Sequence, residues 1–427
     1  MNIAQLHQLF LEHKSVCTDT RTIKKNDLFF ALKGENFNGN DYAEKAIELG
    51  ASYSIVDETL DSDNNKIIQV TDVLETLQKL ANYHRNYLDI IIIGLTGSNG
   101  KTTTKELIHA VLSKKYKTIA TKGNLNNHIG VPLTLLSLKE DTEFGIIEMG
   151  ANHLNEIQFL SEISEPDYGY ITNFGKAHLE GFGSLEGVIK GKSELYNYLK
   201  NHQKLIFVNG DDEKQLEITK TYLNIFTFNQ TNNNSYETKF LESNPFVKCT
   251  LNDQIIQSKL IGQYNFDNIS AAIAIAQYFD ITDIDIKDAI ESYMPENNRS
   301  QILIKGSNKI ILDAYNANPS SMKVSLEHFS QMDESNKIII LGDMFELGSE
   351  SKKEHQKIVD FISQQDFQAI YLVGANFYKT KTKTELINKF ESFEDFQHVL
   401  STTNISYCTL LLKGSRGMAL ERALDYL

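Results

Sequence analysis

A run of apolar residues, Asp89-Ile90-Ile91-Ile92-Ile93-Gly94-Leu95, opens directly into Thr96-Gly97-Ser98-Asn99-Gly100-Lys101-Thr102-Thr103. The run is apolar on both faces, as a strand in the middle of a parallel sheet must be. Behind it, Leu107, Ile108, Val111 and Leu112 recur at helical spacing over residues 103–116. Strand, glycine-rich turn and helix, in that order, predict a phosphate-binding loop. The glycines let backbone N–H groups turn inward around phosphate oxygens, and the helix N-terminus adds partial positive charge. Lys101 is placed to reach the β- and γ-phosphates, and the Thr102 hydroxyl to ligate Mg²⁺. The spacing departs from the usual GxxxxGK pattern: Leu95 stands where a glycine is usual, and Gly94 is one residue early. A glycine-rich turn without a ligand is the alternative. No guanine-reading NKxD-type signature is evident after the loop, so ATP is the expected nucleotide.

Strand and helix patterns alternate through the rest of the chain, which predicts α/β layers. Further buried strands are expected at 145–148, 168–172 and 204–208, continuing the parallel sheet to about residue 210. Alternation over 220–260, with a polar turn at 230–234, reads as a small antiparallel addition. Residues 269–279, rich in Ala and Ile, read as a buried helix. A second set of apolar runs, 309–313, 337–341, 369–373 and 408–412, predicts a separate α/β domain beyond the polar stretch 294–298. At 427 residues the chain exceeds what one core usually supports. Two or three domains are expected from length, and boundaries near 83–87 and in the 294–298 stretch divide the chain into 1–86, 87–297 and 298–427.

The formal charge of −14 works against non-specific binding to nucleic acid or anionic membranes. Cys17, Cys249 and Cys408 are scattered, which predicts free thiols in a reducing compartment. No basic n-region followed by an apolar core opens the chain, and no apolar run reaches the ~18–20 residues that span a bilayer. A cytoplasmic protein without a membrane anchor is the expectation.

The phosphate loop sequence TGSNGKTT resembles the Mur ligases and their folate-ligating relatives, and further motifs extend the resemblance over nearly the whole chain. Residues 123–132 (GNLNNHIGVP) resemble the family's asparagine loop, and Glu148-Met149-Gly150-Ala151 its metal-binding glutamate segment. Residues 177–184 (AHLEGFGS) match its histidine motif, and Lys190-Gly191-Lys192-Ser193-Glu194 the helix whose second lysine is carbamylated in relatives. Residues 262–268 (GQYNFDN) resemble the segment supplying an adenine-contacting asparagine, here Asn268. Arg299 and Asp313 match the C-terminal pair that closes over ATP. Residues 313–319 (DAYNANP), 341–348 (LGDMFELG) and 413–418 (KGSRGM) look like the branch that adds D-alanyl-D-alanine. Near the N-terminus, Thr18-Asp19-Thr20-Arg21 and residues 27–35 (DLFFALKGE) resemble the uridine-nucleotide domain. The family more often has Ser where Thr18 or Thr20 stand, and Asp and His near Asn38 and Asn40.

The resemblance implies three α/β domains. The first is a small N-terminal domain for the uridine nucleotide. A central phosphate-loop ATPase domain with a mostly parallel sheet follows, and a Rossmann-like domain is C-terminal. It implies an ATP- and Mg²⁺-dependent ligase, acting on UDP-N-acetylmuramoyl-tripeptide and D-alanyl-D-alanine through an acyl phosphate, and commonly a monomer. The implied catalytic set is Lys101, Asn126, Glu148, His178 and Lys192, with metal contacts from Thr102, Glu148, His178 and carbamylated Lys192. Nucleotide contacts fall on Thr96, Gly97, Ser98, Asn99, Gly100, Lys101, Thr102, Thr103, Asn268, Arg299 and Asp313. Substrate contacts fall on Thr18, Thr20, Arg21, Asn316, Asn318, Ser415 and Arg416. By composition alone, Lys192 beside Glu194 reads as a solvated surface lysine, and His84 and His355 read as structural. Three other readings remain open: a folylpolyglutamate-type ligase, a non-catalytic ATP-binding module and a phosphate-loop kinase.

Overall fold

The computed structural model describes residues 1–13, 15–61, 64–229, 238–296, 298–382 and 384–427. The expected turn at 230–234 and residue 297 of the expected linker lie outside them. Three parallel-rich sheets follow one another along the chain. The first has four parallel strands, in the order Val16–Cys17, Leu28–Phe30, Tyr53–Val56 and Ile67–Gln69. The helix Val73–Leu88 then carries the chain onward, capped by Asp72 at one end and closed by left-handed Asp89 at the other. The expected boundary at residue 86 falls inside this helix.

The middle sheet has six parallel strands, in the order Ile225–Phe228, Leu205–Asn209, Tyr168–Ile171, Ile91–Thr96, Phe144–Glu148 and Thr118–Ala120. Its central strand Ile91–Thr96 is buried on both faces, which is why its sequence shows no alternation. Ile93 and Leu95 pack on Leu107, Ile108 and Val111 of the helix Lys101–Leu112 and on the helix Asn265–Tyr278. Ile92 packs in the opposite layer, with Leu160 and Leu195. Each such buried side chain contributes about 1.5–3 kcal/mol over exposure. Strand order reverses at this strand, because the chain leaves it for Thr118–Ala120 on one side and later reaches Tyr168–Ile171 on the other. Ligands bind at such a switch point, outside the C-terminal strand ends.

The expected antiparallel addition is a three-stranded sheet, Thr238–Ser243, Phe246–Leu251 and Gln254–Ile261. It turns Val247, Cys249, Leu251 and Ile256 into the core of the middle sheet. The last sheet has an antiparallel edge strand, Gln301–Lys305, which the sequence pattern did not reveal. Five parallel strands follow it in the order Asn308–Asp313, Thr409–Lys413, Lys337–Gly342, Ala369–Val373 and Ile387–Phe390. All three cysteines are free and buried. Among the described residues no helix is long and apolar enough to cross a membrane.

Candidate active site

The C-terminal ends of Ile91–Thr96, Phe144–Glu148 and Tyr168–Ile171 face the C-terminal end of Asn308–Asp313 across a cavity of about 1120 Å³. Ser98, Asn99, Gly100, Lys101, Thr102, Thr103, Asn126, Glu148 and His178 line it from one side, with Asn268 below the loop. Arg299, Asp313, Asn316 and Asn318 line it from the other. Residues more than 200 positions apart therefore share one space.

The loop is held open by its own hydrogen bonds. Thr96 is buried beneath it and its hydroxyl donates to the Met149 carbonyl at 2.8 Å. Gly97 has φ +144, and a Cβ there would lie 2.0 Å from Thr172 Oγ1. Gly100 has φ +77, and a Cβ there would lie 2.5 Å from Asn268 Oδ1. Both positions exclude larger residues. Asn268 is fixed in turn, accepting from Thr104 Oγ1 at 2.9 Å and donating to Asn265 Oδ1 at 2.8 Å. Asn173 cradles Asn99 from both sides: its Oδ1 accepts from Asn99 N, and its Nδ2 donates to Asn99 O, each at 3.0 Å.

Lys101 folds back over the loop, donating to the Gly97 carbonyl at 2.7 Å. Burial lowers its pKa, the Glu148 charge raises it, and Arg299 lowers it further. A phosphate arriving there restores the balance by pairing the ammonium. Glu148 is almost fully buried, and its Oε1 accepts from Asn126 Nδ2 at 2.8 Å. Its Oε2 has no hydrogen-bond partner; the nearest cation is Lys105 Nζ at 3.9 Å. A buried carboxylate oxygen left open beside a phosphate loop fits a hard divalent cation. Among the described residues no cluster of three His, Cys, Asp or Glu side chains could hold a metal ion. Such a cation would take its remaining ligands from Thr102, phosphate and water.

His178 has left-handed backbone, φ 52. Its Nδ1 lies 2.5 Å from Glu346 Oε2, outside hydrogen-bond geometry. Lys192 is not the solvated lysine its composition suggests: it is 0 % exposed, under Phe182, and donates to the Ala151 carbonyl at 3.1 Å. Burial and the nearby Lys101 push its pKa well down, so it tends toward the neutral amine. An ammonium cannot ligate a metal, whereas the carbamate formed from a neutral amine can.

On the far side, Asp313 accepts from Lys413 Nζ at 2.5 Å and from the Ser300 backbone at 3.3 Å. The Arg299 guanidinium stacks 3.6 Å over Tyr315, with Nε unpartnered. Asn316 accepts from the Ala317 backbone at 2.9 Å. Asn318 caps the helix Pro319–Gln331 and also donates to Asn99 Oδ1 at 2.7 Å. Ser415 and Arg416 do not line the cavity. The Ser415 hydroxyl accepts from Phe345 N at 2.9 Å, tying two loops together, and Arg416 pairs with Glu421.

Thr18, Thr20 and Arg21 lie apart, in the bend and 3-10 turn that follow the first strand of the N-terminal sheet. Asp19 holds exposed Arg21 in a 2.6 Å ion pair. Asn38 and Asn40 are committed internally, to Glu58 and Asp57 respectively. Lys105, Asn173, Tyr315 and Lys413 also shape the site. Lys413 opens a motif already read as part of the site; Lys105 and Asn173 carry no signal without the fold.

Three family models match in succession: "Mur ligase family, catalytic domain" over residues 12–85, "Mur ligase middle domain" over 95–276, and "Mur ligase, glutamate ligase domain" over 298–415. A UDP-N-acetylmuramoyl-tripeptide–D-alanyl-D-alanine ligase of Bacillus subtilis is 34% identical, covering 95% of this chain and 91% of the relative. A crystal structure of MurF from Acinetobacter baumannii superposes with a TM-score of 0.86 at 28% identity, covering 99% of this chain and 98% of that one. MurF ligase from Thermotoga maritima in complex with ADP gives 0.83 at 26% identity, with 97% of each chain covered. With three family models in succession and a relative 34% identical over nearly its full length, the chain belongs to the Mur ligase family.

Proposed function

We propose that this chain joins D-alanyl-D-alanine to the terminal carboxylate of UDP-N-acetylmuramoyl-tripeptide, giving the pentapeptide for peptidoglycan synthesis with ADP and phosphate. The observation that carries this reading is the single cavity shared by the phosphate loop, Glu148, His178 and the C-terminal residues Arg299 to Asn318. Relatives named for this reaction match at 30–34% identity over nearly the whole chain, which supports the choice of substrates. The N-terminal sheet, absent from a plain phosphate-loop kinase, supports a uridine-nucleotide substrate bound through Thr18, Thr20 and Arg21. Residues 1–86, 87–297 and 298–427 then serve uridine nucleotide, ATP and dipeptide in turn. The protein acts in the cytoplasm as a monomer.

The tripeptide carboxylate attacks the γ-phosphorus of ATP and ADP leaves. The dipeptide amine then attacks the acyl carbon, phosphate leaves, and the nitrogen gives up its proton as the amide forms. Both steps bring anions together, so the site must neutralise and align them. Lys101 and the loop N–H groups hold the β- and γ-phosphates, and Asn126 steadies the transferring group. Asn268 meets the adenine side. Arg299 and Asp313 close over the nucleotide from the C-terminal sheet, and Asn316 and Asn318 face the incoming dipeptide. Thr102 and Glu148 would hold one Mg²⁺, and His178 with carbamylated Lys192 a second. Bound there, the ions would neutralise the phosphates and the substrate carboxylate.

The test is phosphate release from ATP and Mg²⁺ with tripeptide and dipeptide, omitting each in turn. Release that requires both, with the pentapeptide seen by mass spectrometry, is the expected result. Release with another acceptor only would reassign the substrate, and none with any pair would favour a binding module.

A further inference from the structure

His178 and Glu346 come from distant parts of the chain, on loops built alike. Both have left-handed backbone, φ 52 and φ 60. A bulky residue held there stores on the order of 1–3 kcal/mol and persists only where its surroundings require it. Here the two loops pack against each other. The Glu180 N–H donates to the Glu346 carbonyl at 3.1 Å. Gly348, at φ +50, packs against Glu180, where a Cβ on it would make ordinary contact at 3.4 Å from Glu180 Cα. The side chains meet as well, with His178 Nδ1 2.5 Å from Glu346 Oε2. His178 lines the cavity and Glu346 does not.

We infer that Glu346 is a positioning residue for His178. Its carboxylate takes the Nδ1 side of the imidazole and so leaves Nε2, across the ring, for the cavity. Which ring nitrogen carries the proton is set by the partner of the other one. With Glu346 in place Nδ1 is shut off from solvent, and no other acceptor reaches it. The Glu346 carboxylate is half exposed and can turn to align with the ring. His178 therefore takes its working orientation only while the 341–348 loop is docked on the 177–184 loop. Docking of the C-terminal sheet and readiness of the histidine become one event. The kinetic part of this inference rests on the ligase reading; the orientation of the ring does not.

Two measurements on the full-length protein decide it. The first is ¹⁵N NMR of histidine-labelled protein, with the His178 signals assigned by their loss in His178→Asn. Wild type should show one tautomer, protonated at Nδ1. Glu346→Ala should show a mixture, and Glu346→Gln, which keeps an acceptor oxygen, should restore the single form. The second is steady-state kinetics. Glu346→Ala should lower kcat about 10–100-fold, the range for removing a carboxylate behind a working histidine, and leave KM for ATP unchanged. Glu346→Gln should recover most of the loss, and Glu350→Gln, on the neighbouring exposed turn, should behave as wild type. An unchanged tautomer in Glu346→Ala, or a loss confined to thermal stability with kcat intact, overturns the inference. If wild type itself turns over nothing with these substrates, the ligase reading fails, and the NMR arm alone then supports or overturns the role of Glu346.

Discussion

Lys192, which beside Glu194 reads as a solvated lysine, lies on the helix Leu185–Asn201 with its side chain fully buried. Burial, and then the Lys101 charge, lower the Lys192 pKa and favour the neutral amine, the form that reacts with dissolved carbon dioxide. ¹³C NMR with labelled bicarbonate should show a carbamate carbon that Lys192→Ala lacks. Activity of that variant should fall about 10–100-fold at any bicarbonate level. Full activity in the variant would remove the carbamate from the account. Short motifs picked out Lys101, Glu148 and His178, which the structure gathers around one cavity. The sequence was not legible for Asn173 and Lys105, whose importance comes from neighbours far along the chain. Ser415, read as a substrate contact, accepts from Phe345 N and does not line the cavity.

The phosphate loop works because two of its glycines occupy space that no side chain can share. Gly97→Ala should push its Cβ into Thr172 Oγ1, disrupting the hydroxyl's 2.6 Å bond to the Asn99 carbonyl. A loss of about 1–3 kcal/mol in urea unfolding is expected, together with loss of the ATP-induced rise in melting temperature. An unperturbed thermal shift with ATP would contradict the description of the loop. A second element-scale prediction concerns the helix Ile3–His13 where it packs on Val73–Leu88. His7 Nε2 lies 3.0 Å from His84 Nδ1, and His84 Nε2 lies 3.1 Å from the Leu138 carbonyl. Tyr83, Tyr87 and Phe10 surround the His7 ring, with Glu140 acting on His84. Burial, and then His84, hold His7 down to about 4 from an ordinary 6.5. Between those values the unfolded chain binds a proton that the folded one refuses. The stability is therefore full above 6.5 and is lost as pH falls toward 4. Unfolding free energies at pH 7 and pH 5 should differ less in His7→Phe than in wild type; an equal pH dependence would show that His7 is not the sensor. Long apolar strands and the 265–278 helix were legible from their pattern. The N-terminal strands, two to four residues each, are too short to carry a period, and the edge strand Gln301–Lys305 is only partly buried.

The chain brings its outer parts onto the central sheet through a few polar contacts that no local pattern announces. Asn318 reaches Asn99, and Lys176 pairs with Glu354 at 3.0 Å. Asn318 serves two elements at once, as helix cap and as a bridge to the phosphate loop. Asn318→Ala should cost about 1 kcal/mol in unfolding, from the lost cap. It should also weaken ATP binding measured by calorimetry; a stability loss with unchanged affinity would reduce Asn318 to a cap. The middle and C-terminal sheets could be read from the sequence because their apolar runs come in sets. How the sets dock could not, because docking rests on single side chains such as Glu346 and Glu354. In the proposed reaction the tripeptide carboxylate takes phosphate before it meets the amine. A tripeptide carrying ¹⁸O in its terminal carboxylate tests this directly. One ¹⁸O should appear in the phosphate released as the pentapeptide forms. Phosphate free of ¹⁸O, alongside normal product formation, would contradict the acyl phosphate and with it the chemistry assigned to this site.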